Sequence, residues 1–328
     1  MKLPGRKLPT LLLCLLLLAA CSRGRHRGHE VAYVSAGLVV LRDRVAPVYT
    51  KTGTVKNGDK VEILERDRRF ARVRTSDGAE GWIEERHLVT QQVYDGFQKL
   101  AADAKDDPVQ AAAITRNETN LHLTPGRDTD HLYQLPQGSR VSILKRATAE
   151  KALPGAPRSD ESGAAPVLED WWLIRDAQDH VGWVLARLVD VDVPLDIAQY
   201  AEGQRIVAAF VLDQVQDGDK QVPQYLELLS EPKDGMPFDY NQIRVFTWNV
   251  KRHRYETAYR ERNLNGVLPV TIAKENFDKE GMLPVFVLRV KDDSGNIVER
   301  KYKLNTPIVR RVLAPGEQPA KPVRKSHR

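Results

Sequence analysis

The chain has 328 residues, 50 Lys and Arg against 44 Asp and Glu, a formal net charge of +6 and two cysteines. Residues 1–20 contribute +3, 22–30 contribute +2 and 314–328 contribute +3, which leaves the body between them at −2. Positive charge therefore sits on the ends and not on a folded face, which argues against nucleic acid as a partner. Cys14 and Cys21 leave no cysteine for a disulfide in the body, so packed cores must hold it together.

Lys2, Arg6 and Lys7 precede an apolar run, Leu11 to Leu18. The run is too short for a bilayer span of about 20 residues, and its flanks fit the apolar region of a secretory signal. Residues 1–20 are expected to be removed. The bland alternative is an ordinary signal that leaves a free thiol at Cys21. Leu18-Ala19-Ala20-Cys21 resembles the lipobox of bacterial lipoproteins. That resemblance implies that Cys21 takes a diacylglyceryl thioether and becomes the acylated first residue, with membrane lipid as its partner. Stable anchoring needs more than one chain, at roughly 0.8 kcal/mol per buried methylene. Ser22 in place of Asp implies, by the sorting rule of proteobacterial lipoproteins, a periplasm-facing protein of the outer rather than the inner membrane. Residues 21–30, with Arg23, Arg25 and Arg27, read as a flexible basic tether spanning about 30 Å.

The body contains a repeat. Gly58-Asp59-Lys60-Val61-Glu62-Ile63-Leu64 aligns with Gly138-Ser139-Arg140-Val141-Ser142-Ile143-Leu144 at an offset of 80, and the same offset pairs Leu41 with Leu121. Phe70-Ala71-Arg72-Val73-Arg74 aligns with Trp171-Trp172-Leu173-Ile174-Arg175, and Gly81-Trp82-Ile83 with Gly182-Trp183-Val184, now at an offset of 101. Alternating apolar and polar residues between Asn-Gly and Asp-Gly turns predict short antiparallel strands in both copies.

Both copies resemble the bacterial SH3 domain, in the Gly-x-x-Val-x-Ile-Leu run, the aromatic-x-x-Val-Arg element, and Gly-Trp before an apolar residue. The first copy departs with Val40 where the second keeps Asn120, and the second has His122 where the first has Arg42. The resemblance implies two small barrels, residues 31–90 and 112–193. Tyr49, Trp82, Tyr133, Trp171, Trp172 and Trp183 are the aromatic residues a binding groove would draw on. Trp82 and Trp183 read first as core-filling residues. Trp171 and Trp172 must point to opposite faces of a strand, and Trp172 is expected to be the exposed one.

The second copy's extra residues, 148–168, lack periodicity and are expected to form a loop. Residues 91–111 link the copies. Within them Tyr94, Phe97, Leu100, Ala101 and Ala104 recur at helical spacing before Asp107-Pro108, predicting a short helix that packs the barrels together.

Residues 194–313 continue as strands: Arg205–Val215, Gln224–Leu229, Ile243–Val250, Arg254–Arg260, Val267–Ala273, Val285–Lys291 and Ile297–Leu304. Turns are expected at Asn265-Gly266 and at Asp292-Asp293-Ser294-Gly295-Asn296, among others. Seven strands in about 115 residues suggest a β-sandwich-like domain, with a sheet or barrel as alternatives. Residues 314–328 read as a disordered basic tail. The expected class is all-β.

Catalytic patterns are absent from the sequence. No cysteine remains as a nucleophile, His-Glu-x-x-His and Gly-x-Ser-x-Gly are missing, and no motif calls for a cofactor or metal. Paired carboxylates for glycoside cleavage converge in space rather than in sequence. The expectation is a non-catalytic, membrane-anchored envelope lipoprotein whose barrels bind cell-wall glycan, stem peptide or an envelope protein. A structural adaptor and a wall enzyme with its site in residues 194–313 are the rivals.

Overall fold

The computed structural model describes residues 30–151 and 165–313. The signal, Cys21, most of the tether, residues 152–164 of the insertion and the tail lie outside the described residues. The all-β expectation holds: the described residues form three seven-stranded antiparallel sheets.

The first sheet comprises β1 (Glu30–Val34), β2 (Leu38–Arg42), β3 (Lys51–Lys56), β4 (Lys60–Asp67), β5 (Phe70–Thr75), β6 (Glu80–Glu84) and β7 (Leu88–Thr90), in the order β3-β2-β6-β5-β4-β1-β7. Alternation turns Val61 and Ile63 of β4, and Ala71 and Val73 of β5, to one face. There they meet Ala32, Val34, Leu41, Val55 and Ile83 in one core. Six strands feed that core, so the sheet curls around it.

The second sheet comprises β8 (Ala111–Thr115), β9 (Thr119–His122), β10 (His131–Leu135), β11 (Arg140–Glu150), β12 (Leu168–Asp176), β13 (Val181–Leu185) and β14 (Val189–Val191). Its order, β10-β9-β13-β12-β11-β8-β14, repeats the first strand for strand. Register repeats as well. Arg42 faces Trp82 and His122 faces Trp183. The β4–β5 ladder slips between Ile63 and Glu65, the β11–β12 ladder between Ile143 and Lys145. A Cβ on Gly182 would lie 2.6 Å from Leu121 Cβ, and one on Gly81 would lie 2.8 Å from Leu41 Cβ. Glycine before tryptophan thus lets the two crossing strands touch in both copies.

The insertion is narrower than its sequence suggests. Thr148–Glu150 continue β11 and pair with Leu168, Glu169 and Asp170 of β12, lengthening that hairpin. The linker helix, α1 (Gln91–Asp103), starts three residues before Tyr94, where the expected apolar spacing begins, because Thr90 caps it, accepting from Val93 N at 3.4 Å. Tyr94 of α1 stacks on Tyr33 of the first sheet at 3.9 Å, and Phe97 sits edge-on to Tyr133 of the second at 5.5 Å. Leu100, Ala101 and Ala104 then pack on Leu144, Leu173, Val181 and Trp183. No helix among the described residues is long and apolar enough to cross a membrane.

The third sheet runs β15 (Arg205–Asp217), β16 (Lys220–Ser230), β17 (Tyr240–Asn249), β18 (Arg254–Asn276), β19 (Met282–Lys291), β20 (Ile297–Asn305) and β21 (Ile308–Val312), each beside the next. Two sandwich sheets are replaced by one folded sheet. The expected strands at 254–260 and 267–273 are one strand, β18, and Asn265-Gly266 lies inside it and is not a turn. The N-terminal half of β18 pairs with β17 and its C-terminal half with β19, and Gly266 faces Tyr240 on one side and Val290 on the other. Tyr240 lies over that glycine, where a Cβ would come within 2.5 Å of its ring. Bent there, the sheet brings Leu226, Leu228, Ile243 and Val245 into one core with Phe286, Leu288, Tyr302 and Leu304. The Tyr302 hydroxyl donates to Glu261 across the fold at 2.7 Å. β20 lies inside the sheet, with β21 outside it at the edge. Asp292 Oδ1 accepts from Ser294 N and Asn296 N, both at 2.9 Å, which accounts for that segment as a turn.

On the far face of β16 and β17, the short helix α2 (Leu195–Ala198) and the turn Gln199–Ala201 bury Tyr225, Phe246 and Tyr255 under Ile197 and Tyr200. Glu227 and Arg244, register partners on that sheet, are 0% and 1% exposed. Arg244 donates to Tyr200 O and pairs with Glu202 at 3.1 Å, but its Nε and both Glu227 oxygens have no hydrogen-bond partner among the described residues.

Polar groups lock the seams between sheets. Asp170, on the lengthened β12, accepts from Arg146 at 2.6 Å, from Arg205 at 2.9 Å and from Gly235 N at 2.9 Å. Arg146 also donates to Phe238 O and Asp239, and Arg205 to Asp234. Gln110 accepts from Val270 N at 2.7 Å in a fully buried contact.

Candidate binding site

Arg42 ends β2 and begins a loop that returns at β3. Asp43 ties the loop shut: its N–H donates to Thr50 O at 3.0 Å and its Oδ1 accepts from Thr50 N at 2.8 Å. The bonds from Arg44 and from that backbone amide hold the Asp43 carboxyl below the usual carboxylate range. Closed this way, the loop sets Tyr49 over Arg42, whose guanidinium carbon lies 4.4 Å from the Tyr49 ring centre and 5.4 Å from that of Phe70. Arg69 lies 5.8 Å from the Phe70 ring centre. Glu84 pairs with Arg42 at 3.6 Å and with Arg86 at 2.9 Å. Trp82, the register partner of Arg42, is half-buried beside them, while Tyr49 is 39% and Val48 84% exposed.

Three arginines around one glutamate and an exposed tyrosine make a surface suited to planar or anionic groups. A guanidinium stacks on rings and grips carboxylates with a fixed fork. Of these residues, Tyr49 and Trp82 were expected from the sequence. Arg42 and Phe70 were not singled out as site residues, although the exchange of Arg42 for His122 between otherwise matching copies marks the place where the copies diverge in chemistry.

The same positions in the second copy hold imidazole and indole rings packed on one another in place of the arginine and phenylalanine. His122 Nδ1 lies 3.1 Å from Thr129 Oγ1, and its ring is 5.2 Å from Trp171 and 5.6 Å from His131. Burial, and then the neighbouring His131, hold the His122 pKa below the ordinary imidazole value. Trp171 is buried, as its counterpart Phe70 is, and Trp183 is half-buried, as Trp82 is, packing with Leu100 and Ala101 of α1. Trp172 corrects the sequence expectation, since it is 3% exposed. It shares its face with Ile174 and points into the curled sheet, as its counterpart Ala71 does in the first copy. A fully buried alanine at the aligned position was the available signal.

Tyr133 is also buried. Its ring stacks on His180 at 3.7 Å, and burial pushes its hydroxyl up to about 12. Among the described residues no group of three or more His, Cys, Asp or Glu is placed to hold a metal ion.

Residues 44–89 match the bacterial SH3 domain family. That segment carries Tyr49, Phe70, Arg69, Trp82, Glu84 and Arg86. Among curated proteins nothing matches the chain. Solved structures similar to it include NlpC2 from Trichomonas vaginalis, at 12% identity over 87% of this chain and 96% of that one, with a TM-score of 0.18. An NLPC/P60 family protein from Bacillus cereus ATCC 10987 has 8% identity over 85% of this chain and 95% of that one, with a TM-score of 0.23. Superposition this poor carries no argument about the chain.

Proposed function

We propose that this is a non-catalytic lipoprotein of the bacterial envelope. Acylated Cys21 anchors it, facing the periplasm and in the outer membrane, and two tandem SH3-like units, residues 31–90 and 112–193, precede the C-terminal β-domain at 194–313. The first unit engages peptidoglycan, through glycan or stem peptide, with its arginine–aromatic face. The observation that carries this reading is the Arg42–Tyr49–Phe70 cluster, an exposed tyrosine over a half-buried arginine and a buried phenylalanine, built largely from the segment that matches a bacterial SH3 domain. The second unit, which has His122 in place of Arg42, serves as a connector.

Two measurements test the reading. Retention of the full chain on purified peptidoglycan falls about tenfold, or about 1.4 kcal/mol, in Tyr49→Ala, as expected for loss of an aromatic anchor. Undiminished retention would remove the binding face. Cys21→Ser moves the protein from the membrane fraction to the soluble one, and mass spectrometry of the native N-terminal peptide finds the diacylglyceryl adduct. An unmodified peptide would sink the anchor.

The buried polar seams favour a second reading, an adaptor that docks an envelope protein complex without touching the wall. Under it, crosslinking in cells recovers a stoichiometric protein partner and wall retention is absent.

A further inference from the structure

A cleft of about 380 Å3 lies where the two repeats meet, between the β3–β4 turn of the first and the β10 and β12–β13 segments of the second. Its walls are fixed before any ligand arrives. Asn57 Nδ2 donates to Leu132 O at 2.7 Å and Val34 O at 3.2 Å, while Asn57 Oδ1 accepts from Gln134 N at 3.0 Å. Gln134 Oε1 accepts from Gly37 N at 2.6 Å and its Nε2 donates to Glu118 at 3.0 Å. These amides are spent on the seam. A preformed cleft spares a ligand the cost of ordering it.

Other groups in the cleft are uncommitted. Arg140 is exposed, and its side chain makes no ion pair or hydrogen bond with the described residues. His180 is held from two sides, its Nδ1 bonded to Asp176 Oδ2 at 2.9 Å and its ring face stacked on Tyr133. With Nδ1–H given to a carboxylate, Nε2 is left as an acceptor. Asp176 is ionised, with both of its oxygens taken by hydrogen bonds. Burial pushes its carboxyl up, but the bonds from His180 and from the amides of His180 and Gln178 outweigh that and hold it below the usual range. Arg140 is therefore the group in the cleft left to meet an anion, above an apolar floor of Tyr133, Leu135 and Pro136.

We propose that this cleft binds the C-terminal end of a short peptide, Arg140 taking the carboxylate and His180 Nε2 accepting the last amide N–H. A guanidinium fork matches a carboxylate in two bonds, and the apolar floor takes a small side chain. The site is separate from the Arg42–Tyr49 face and does not depend on it.

The test titrates the full chain with acetyl-alanyl-alanine and with its C-terminal amide, following heat and the His180 ring resonances. The acid binds at least tenfold more tightly than the amide and moves the His180 signals. Arg140→Gln, a change at an exposed position that leaves the fold intact, brings the acid down to the level of the amide. Equal binding of acid and amide, no binding of either, still His180 resonances, or a preference that survives Arg140→Gln would each overturn the proposal.

Discussion

Asp170→Ala lowers the unfolding free energy by about 3–5 kcal/mol, the cost of removing one member of a buried, hydrogen-bonded charge cluster. Asp170 and Arg146 have side chains only 3% and 7% exposed, and the aspartate oxygens hold two guanidinium groups and a backbone amide. Truncation leaves Arg146 with Asp239 at 3.2 Å and two carbonyls, and Arg205 with Asp234. Both cations then lie in a seam built to surround an anion. Asp170→Asn keeps the geometry but not the charge and gives an intermediate loss. Urea unfolding of the three proteins reads the effect as a lowered midpoint. A loss under about 1 kcal/mol for the alanine variant would mean that water takes the place of the carboxylate, and that the seam does not depend on charge.

Glu227→Gln is expected to stabilise the protein, by an amount that grows as pH rises from 4.5 to about 7. Burial pushes the Glu227 carboxyl up to about 7 from its ordinary 4.5, the nearby Arg244 offsetting only part of the cost. Between those two values the folded chain holds a proton that the unfolded chain has released, so stability falls as pH rises through that window. Above about pH 7 the full penalty is present, about 3 kcal/mol at 1.36 kcal/mol per pH unit. Glutamine carries no such proton. The variant therefore matches the parent at pH 4.5, gains up to about 3 kcal/mol at pH 8, and loses the decline between. Parallel stability profiles for the two proteins from pH 4.5 to 8 would show that the carboxylate is solvated.

Neither group was legible in the sequence. Asp170 reads there as the end of an aperiodic insertion, because the strand pairing that places it comes from β11, about 20 residues earlier, and its cations come from β11 and β15. Glu227 sits in an alternating strand and would be assigned to solvent. What covers it is the segment Leu195–Ala201, too short to show periodicity.

The repeat was legible because its signals are local. Offsets of 80 and 101 residues return as matching register and matching slips in the β4–β5 and β11–β12 ladders. The folded C-terminal sheet was not, since Asn265-Gly266 is turn chemistry used inside a long strand. There the glycine makes room for the Tyr240 ring and lets the strand bend. Of the candidate site, the aromatic residues could be named but their exposure could not. Trp82 and Trp183 are both half-buried, and part of the cover of Trp183 comes from Leu100 and Ala101 of α1, about 80 residues away in sequence.

The nine residues of the first sheet's interior form a cluster of their own, whereas the second and third sheets share one continuous interior through Trp172, Val189, Val207 and Val270. Tension entering at Glu30 therefore meets a small, self-contained shell before it reaches the large fused block behind. Pulled from its N-terminal side, the molecule behaves as a fuse in series with a strut: the leading shell gives way first, and the block to which it is clipped by Asn57 and Tyr94 keeps its shape.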